Sequence, residues 1–186
     1  MKRGLLRGGR TLFAPTVLLV GVLLLLTACS MSPRERMDIA FIAYNDILQR
    51  LGIGATEHSA PFDVVVVRDG ETHHIVYDGH AWNNADEWNV FGIMPIHRID
   101  LRSATIENGA GGSREILFTA DPAVMGIIAF YEQATISDTT VHIHLDANGT
   151  PLTLVAETEI AAFDEHYTRR VELVFNAFGD NVGIGN

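Results

Sequence analysis

The last third of the chain alternates apolar and polar residues in three successive segments. Val141, Ile143 and Leu145 are interleaved with His142, His144 and Asp146. Leu152, Leu154 and Ala156 are interleaved with Thr153, Val155 and Glu157, and Val171, Leu173 and Phe175 with Glu172, Val174 and Asn176. Side chains on a strand alternate between the two sheet faces, so each segment has one face for a core and one for water. With a tight turn at Asp146-Ala147-Asn148-Gly149, the pattern predicts an antiparallel meander covered on one side.

Upstream, Ser32-Pro33-Arg34-Glu35 has the residues of a helix start: a capping serine, proline at the first helical position and glutamate three residues on. Met37, Phe41, Tyr44, Leu48 and Leu51 follow at helical spacing, and Gly52 supplies a stop. Phe62 to Arg68 and Thr72 to Tyr77 read as paired strands around Asp69-Gly70. The valines Val64 to Val67 place apolar groups on both faces, as in a strand that lies between layers or lines an internal space. A short helix or ordered loop is expected near Ala85 to Val90, extended chain from Met94 to Ile106, and a strand from Arg114 to Thr119. Asp121-Pro122 is expected to open a second helix, apolar almost all round, that reaches about Glu132. The fold class is α+β: a mostly antiparallel curved sheet with an N-terminal helix and a second helix before the last three strands.

The chain begins with Lys2, Arg3, Arg7 and Arg10, then an apolar stretch from about Thr11 to Leu26, the layout of a secretory signal peptide. It ends in Leu26-Thr27-Ala28-Cys29, which resembles the lipobox of bacterial lipoproteins. That resemblance implies acylation (palmitate-type chains) of the Cys29 thiol and a cut in front of it. Residues 1–28 would be removed, 29–31 would form the tether and 32–186 a single extracytoplasmic domain. The competing reading is a transmembrane helix, but the stretch is shorter than the ~20 residues a span needs and is interrupted by Pro15 and Gly21. By the sorting pattern of the lipoproteins it resembles, Ser30 after the cysteine would allow passage to the outer membrane of a two-membrane bacterium; in a one-membrane bacterium the outer face of the plasma membrane would be the destination.

All 23 acidic residues follow Cys29 but only 9 of the 13 basic ones do, so the mature charge is 9 − 23 = −14. No basic patch is available to neutralise nucleic-acid phosphates. With a single cysteine no intramolecular disulfide can form.

The stretch Val64 to Arg68, Asp69-Gly70 and Tyr77-Asp78-Gly79-His80-Ala81-Trp82 resembles LolA-like and LppX-like lipoproteins. So do Ile116 to Pro122, the segment Val141 to Leu152 and the ending Val171 to Asn176. The resemblance implies a half-barrel closed on its concave side by helices around a cavity for acyl chains. It carries no catalytic residue. The long strands that family has before Phe62 are missing here or reduced to Ile53 to Pro61. On this reading the cavity wall includes Val64, Val66, Trp82, Trp88, Phe91, Ile127 and Phe130; the same residues would otherwise be plain core.

His142 and His144 share a strand face and could hold a metal with a third ligand from His80, His97, Asp146 or His166. Alternation alone accounts for the pair as a solvent face, so no metal or other cofactor is assigned. Ser59, Ser103, Ser113 and Ser137 sit in no nucleophile elbow, and Gly109 to Gly112 lacks the lysine and helix of a phosphate loop. The expected function is that of a non-enzymatic, membrane-anchored extracytoplasmic lipoprotein that binds a lipid or other apolar ligand. The alternative is a subunit or scaffold of a cell-envelope complex. The partners are the membrane, through acyl groups on Cys29, and a lipid ligand or an envelope protein.

Overall fold

The structure is a computed structural model that describes residues 31–53, 61–81, 91–126, 134–162 and 165–179. The chain divides into two compact units, Met1–Ser32 and Pro33–Asn186. Of the first, only Met31 and Ser32 are described. Among the described residues no helix is long and apolar enough to cross a membrane.

Among its described residues the second unit is α+β, with helix α1 (Pro33–Arg50) followed by an unclosed, antiparallel, curved sheet of eight strands. The strands are β1 (Phe62–Arg68), β2 (Glu71–Tyr77), β3 (Leu101–Asn108), β4 (Arg114–Ala120), β5 (Ala134–Ile136), β6 (Thr139–Leu145), β7 (Pro151–Ala162) and β8 (Glu165–Phe178). Their order is β2-β1-β8-β7-β6-β4-β3, with β5 paired to β7. The expected meander is β6-β7-β8, and its strands outrun the alternating segments that announce them. Register shifts at Asp63/Val64, Leu101/Ser103 and His144/Leu145 bend the strands, as bulges do, and give the sheet curvature.

The alternation sorts the residues largely as the pattern requires, except that Leu152, expected beside Leu154 and Ala156 on the apolar face, is 38% exposed next to the register shift at His144/Leu145. Val64, Val66, Ile116, Phe118, Val141, Ile143, Leu154, Val171 and Leu173 are buried on one face. On the other, Val65 lies beside His74 and Val174, and His144 beside Thr153 and Glu115. Helix α1 packs on β3 and β4 through Ala40, Tyr44, Ile47 and Leu48. It ends as its glycine predicts. Gly52 adopts φ 75°, its N–H bonds to the Gln49 carbonyl at 3.0 Å, and the Ile53 N–H to the Leu48 carbonyl at 2.8 Å. This pair of bonds satisfies carbonyls the last turn would leave open. The β1–β2 turn has positive φ at both central residues, Asp69 (51°) and Gly70 (89°), the geometry a two-residue hairpin favours.

Three expectations need correction. Asp121 does cap a turn, its carboxylate accepting from Ala123 N at 3.0 Å, but the turn is a 3₁₀ helix over Pro122–Met125. Gly126 ends it in a left-handed conformation, φ 62°. No second α-helix is found among the described residues, and residues 127–133 lie outside them. Met94 to Ile106 is not extended throughout, because a 3₁₀ turn over Arg98–Asp100 precedes β3. Strand β5 was not expected. It takes over the edge of β7 where β6 stops: Thr140 pairs with Glu157, and Ile136 with Ile160. The segment near Ala85 to Val90 lies outside the described residues.

One polar pair sits inside the apolar face. The hydroxyls of Thr139 and Thr158 are 2.6 Å apart and both residues are buried. Thr158→Val leaves the Thr139 hydroxyl without this partner and should cost about 1–3 kcal/mol in urea unfolding. The double variant Thr139→Val/Thr158→Val removes both groups and should recover most of that loss, which a double-mutant cycle reads directly.

Candidate functional site

The expected site residues divide by position. Val64 and Val66 project from β1 onto the covered face and are fully buried. They pair across the sheet with Ile75 and His73 of β2 and with Phe175 and Leu173 of β8. Phe91 is also buried, its ring 6.5 Å from that of Phe62, which in turn lies 5.6 Å from Tyr77. The structure therefore brings Val64, Val66 and Phe91 into one cluster, together with Phe62 and Tyr77. Cys29, Trp82, Trp88, Ile127 and Phe130 lie outside the described residues.

The cluster is covered by α1 and by a strap, residues 91–97, that the sequence pattern did not single out. Tyr44, fully buried, donates its hydroxyl to the Met94 carbonyl at 2.9 Å and sets its ring edge-on to Phe118 at 5.5 Å. Burial pushes the Tyr44 phenol far above its ordinary value, so it stays a neutral donor. Asn45 brackets Ile96, donating to its carbonyl at 3.0 Å and accepting from its N–H at 3.2 Å. The Met94 N–H reaches the Val124 carbonyl at 2.7 Å. These part-buried bonds give partners to strap backbone that has no regular secondary structure of its own. Sequence reading could have found Asn45 as a polar residue one position from the core stripe of a helix, but its partner lies 51 residues away.

Two open clefts lie elsewhere, one on either side of the end of β8. One, of about 660 Å³, is lined by Arg68, Asp69, Glu157, Tyr167 and Arg169 among others. The second, of about 480 Å³, involves Ser137, Glu159, His166 and Tyr167. Neither lies between the sheet and α1. Arg170, beside the first cleft, is held by Glu172 at 3.0 Å and Glu157 at 3.1 Å.

His74, His142 and His144 fall on the outward face, whereas His73 sits opposite Val66 on the covered side. His142 lies 3.3 Å from Glu115, and His74 lies 2.8 Å from Asp63, which also accepts from Asn176. Among the described residues no three His, Cys, Asp or Glu side chains gather as a metal site needs. Comparison with protein-family models, curated proteins and solved structures gives no match.

Two outcomes test the site's supports. Tyr44→Phe removes the donor to the part-buried Met94 carbonyl and should lower stability by about 0.5–1.5 kcal/mol, read as a reduced urea midpoint with unchanged slope. The Asp146 carboxylate accepts from the N–H groups of Thr150 and Asn148, which hold its pKa below the usual aspartate value. A folded-state pKa below the unfolded one adds stability above the unfolded pKa and loses it as pH falls through the folded value. The 146–150 turn should therefore loosen only below about pH 4, seen as faster amide exchange at Asn148 and Thr150, and Asp146→Asn should abolish that pH response.

Proposed function

We propose that this chain is a non-enzymatic extracytoplasmic lipoprotein, held on the outer face of a membrane by acyl chains on Cys29. Its body would serve as a subunit or scaffold of a cell-envelope assembly. The anchor rests on the basic start, the apolar stretch and Leu26-Thr27-Ala28-Cys29. Two or more acyl chains would give the stable attachment that one chain does not.

The scaffold role for the body rests on one observation: Val64, Val66 and Phe91 spend their apolar surface on neighbouring side chains of the core. A wall kept for a ligand would leave such surface open to it.

The second reading is a body that binds a lipid or other apolar ligand. It is favoured by the unclosed, curved sheet with a continuous apolar face and by the half-barrel resemblance. Trp82, Trp88, Ile127 and Phe130 would complete its wall.

One preparation tests both. Cys29→Ser should abolish acylation and release the protein from membranes into the extracytoplasmic fraction. Retention of the variant on membranes would overturn the anchor. Native mass spectrometry of the released protein then separates the two roles. A bare mass, with a partner recovered by cross-linking of the anchored form, supports the scaffold. A stoichiometric added mass of lipid supports the ligand-binding reading.

A further inference from the structure

Ile99 is the most exposed large apolar side chain among the described residues, at 82%. It stands at the centre of the 3₁₀ turn Arg98–Asp100. That turn is fastened to the start of α1: Arg98 Nε donates to Asp38 at 2.6 Å and its Nη2 to the Arg34 carbonyl at 3.5 Å. Ile42, 63% exposed, lies one turn beyond Asp38 on the same side of the helix.

Only four chain steps separate Cys29 from Pro33, so full extension allows about 14 Å between them. An acylated Cys29 would keep the start of α1 within that reach of the bilayer surface, and the Arg98 bonds to Asp38 and Arg34 set the Ile99 turn beside that start.

The charge distribution admits the same end. Arg34, Arg36, Arg98 and Arg102 lie there, with Glu35, Asp38 and Asp100, and with Asp121 and Asp138 beside Arg102. That is four arginines against five carboxylates, a balance of −1. The rest of the mature chain has 9 − 4 = 5 arginines against 23 − 5 = 18 carboxylates, a balance of −13. An anionic lipid surface repels the bulk of the body and tolerates this end.

We infer that the turn Arg98–Asp100 is a membrane-contact knob: Ile99 enters the headgroup region beside the anchor, and the arginines around it face lipid phosphates. The contact fixes how the body stands on the membrane, with its far sheet end, the 146–149 turn, directed away. The inference rests on acylation at Cys29.

Its test uses the mature, anchored protein. Once Cys29 is acylated, Ile99→Cys offers a single thiol for an environment-sensitive fluorophore. The reference is Asn148→Cys, because Leu101 and Thr139 share one end of the sheet with Ala120, and the 146–149 turn lies at the other. Both are reconstituted into vesicles of phosphatidylcholine and phosphatidylglycerol. The label at position 99 should shift to the blue and be quenched by lipid-borne nitroxide, while the label at 148 stays water-like. A water-like label at 99, with one fluorophore per chain and the protein still on vesicles, overturns the knob and leaves the anchor standing. Two fluorophores per chain would show a free Cys29 thiol, and both the anchor and the knob would fall.

Discussion

The pairing of β1 with β8 is the contact on which the rest of the body depends. Asp63 and Asn176, hydrogen-bonded at 2.8 Å, stand 113 residues apart. A two-stranded hairpin such as β1–β2 is marginal on its own in water. Attached to β8, it becomes part of an eight-stranded sheet, and β1 becomes an interior strand with both edges used. Only then do Val64 and Val66 meet Phe175 and Leu173 and share one buried face with them. Each such side chain contributes about 1.5–3 kcal/mol when it leaves water, so this register is strongly favoured over a one-residue slip that would expose them.

An apolar sheet face must be covered. Here α1 lies over β3 and β4, and the strap 91–97 runs beside it. The two coverings are joined by polar bonds more than by shape. Tyr44 and Asn45 are adjacent on the helix and serve Met94 and Ile96, two residues apart on the strap. A strap without regular secondary structure can lie in a core only if its backbone groups find partners, and the helix supplies them. The same helix carries Asp38, which holds Arg98 and so places Ile99. One element thus covers the core, orders the strap and presents an exposed apolar side chain at its start.

The functional reading follows from that division of surface. The covered face is occupied by its own side chains where it is described, and the outward face is polar with half-buried valines between histidines and carboxylates. The mature chain is strongly negative in sum, and arginines nearly balance carboxylates at the start of α1. On the proposed reading, a body held by acyl chains at Cys29 would meet the membrane with its start of α1, where arginines and carboxylates nearly balance.

Much of this was legible from residue order. Alternation marked β6, β7 and β8 and sorted most of their faces; Asp69-Gly70 located a hairpin; Gly52 located a helix end. Each is a short-range signal, carried by the strand period, by positive φ or by residues in direct succession. Gly126 is an equally local signal: its left-handed conformation ends the Asp121-Pro122 start after one 3₁₀ turn. What the sequence could not supply was partnership at a distance. Four valines in a row fit a wall or a core alike, and only the approach of β8, Phe62 and Phe91 made Val64 and Val66 core. An isoleucine between an arginine and an aspartate reads as ordinary. It became conspicuous only because the Arg98–Asp38 pair, 60 residues apart in the chain, set it beside the helix start. By itself the sequence determined where elements begin, end and face, because those depend on neighbours along the chain. Tertiary structure decided which faces meet, because that depends on packing between residues the chain holds far apart.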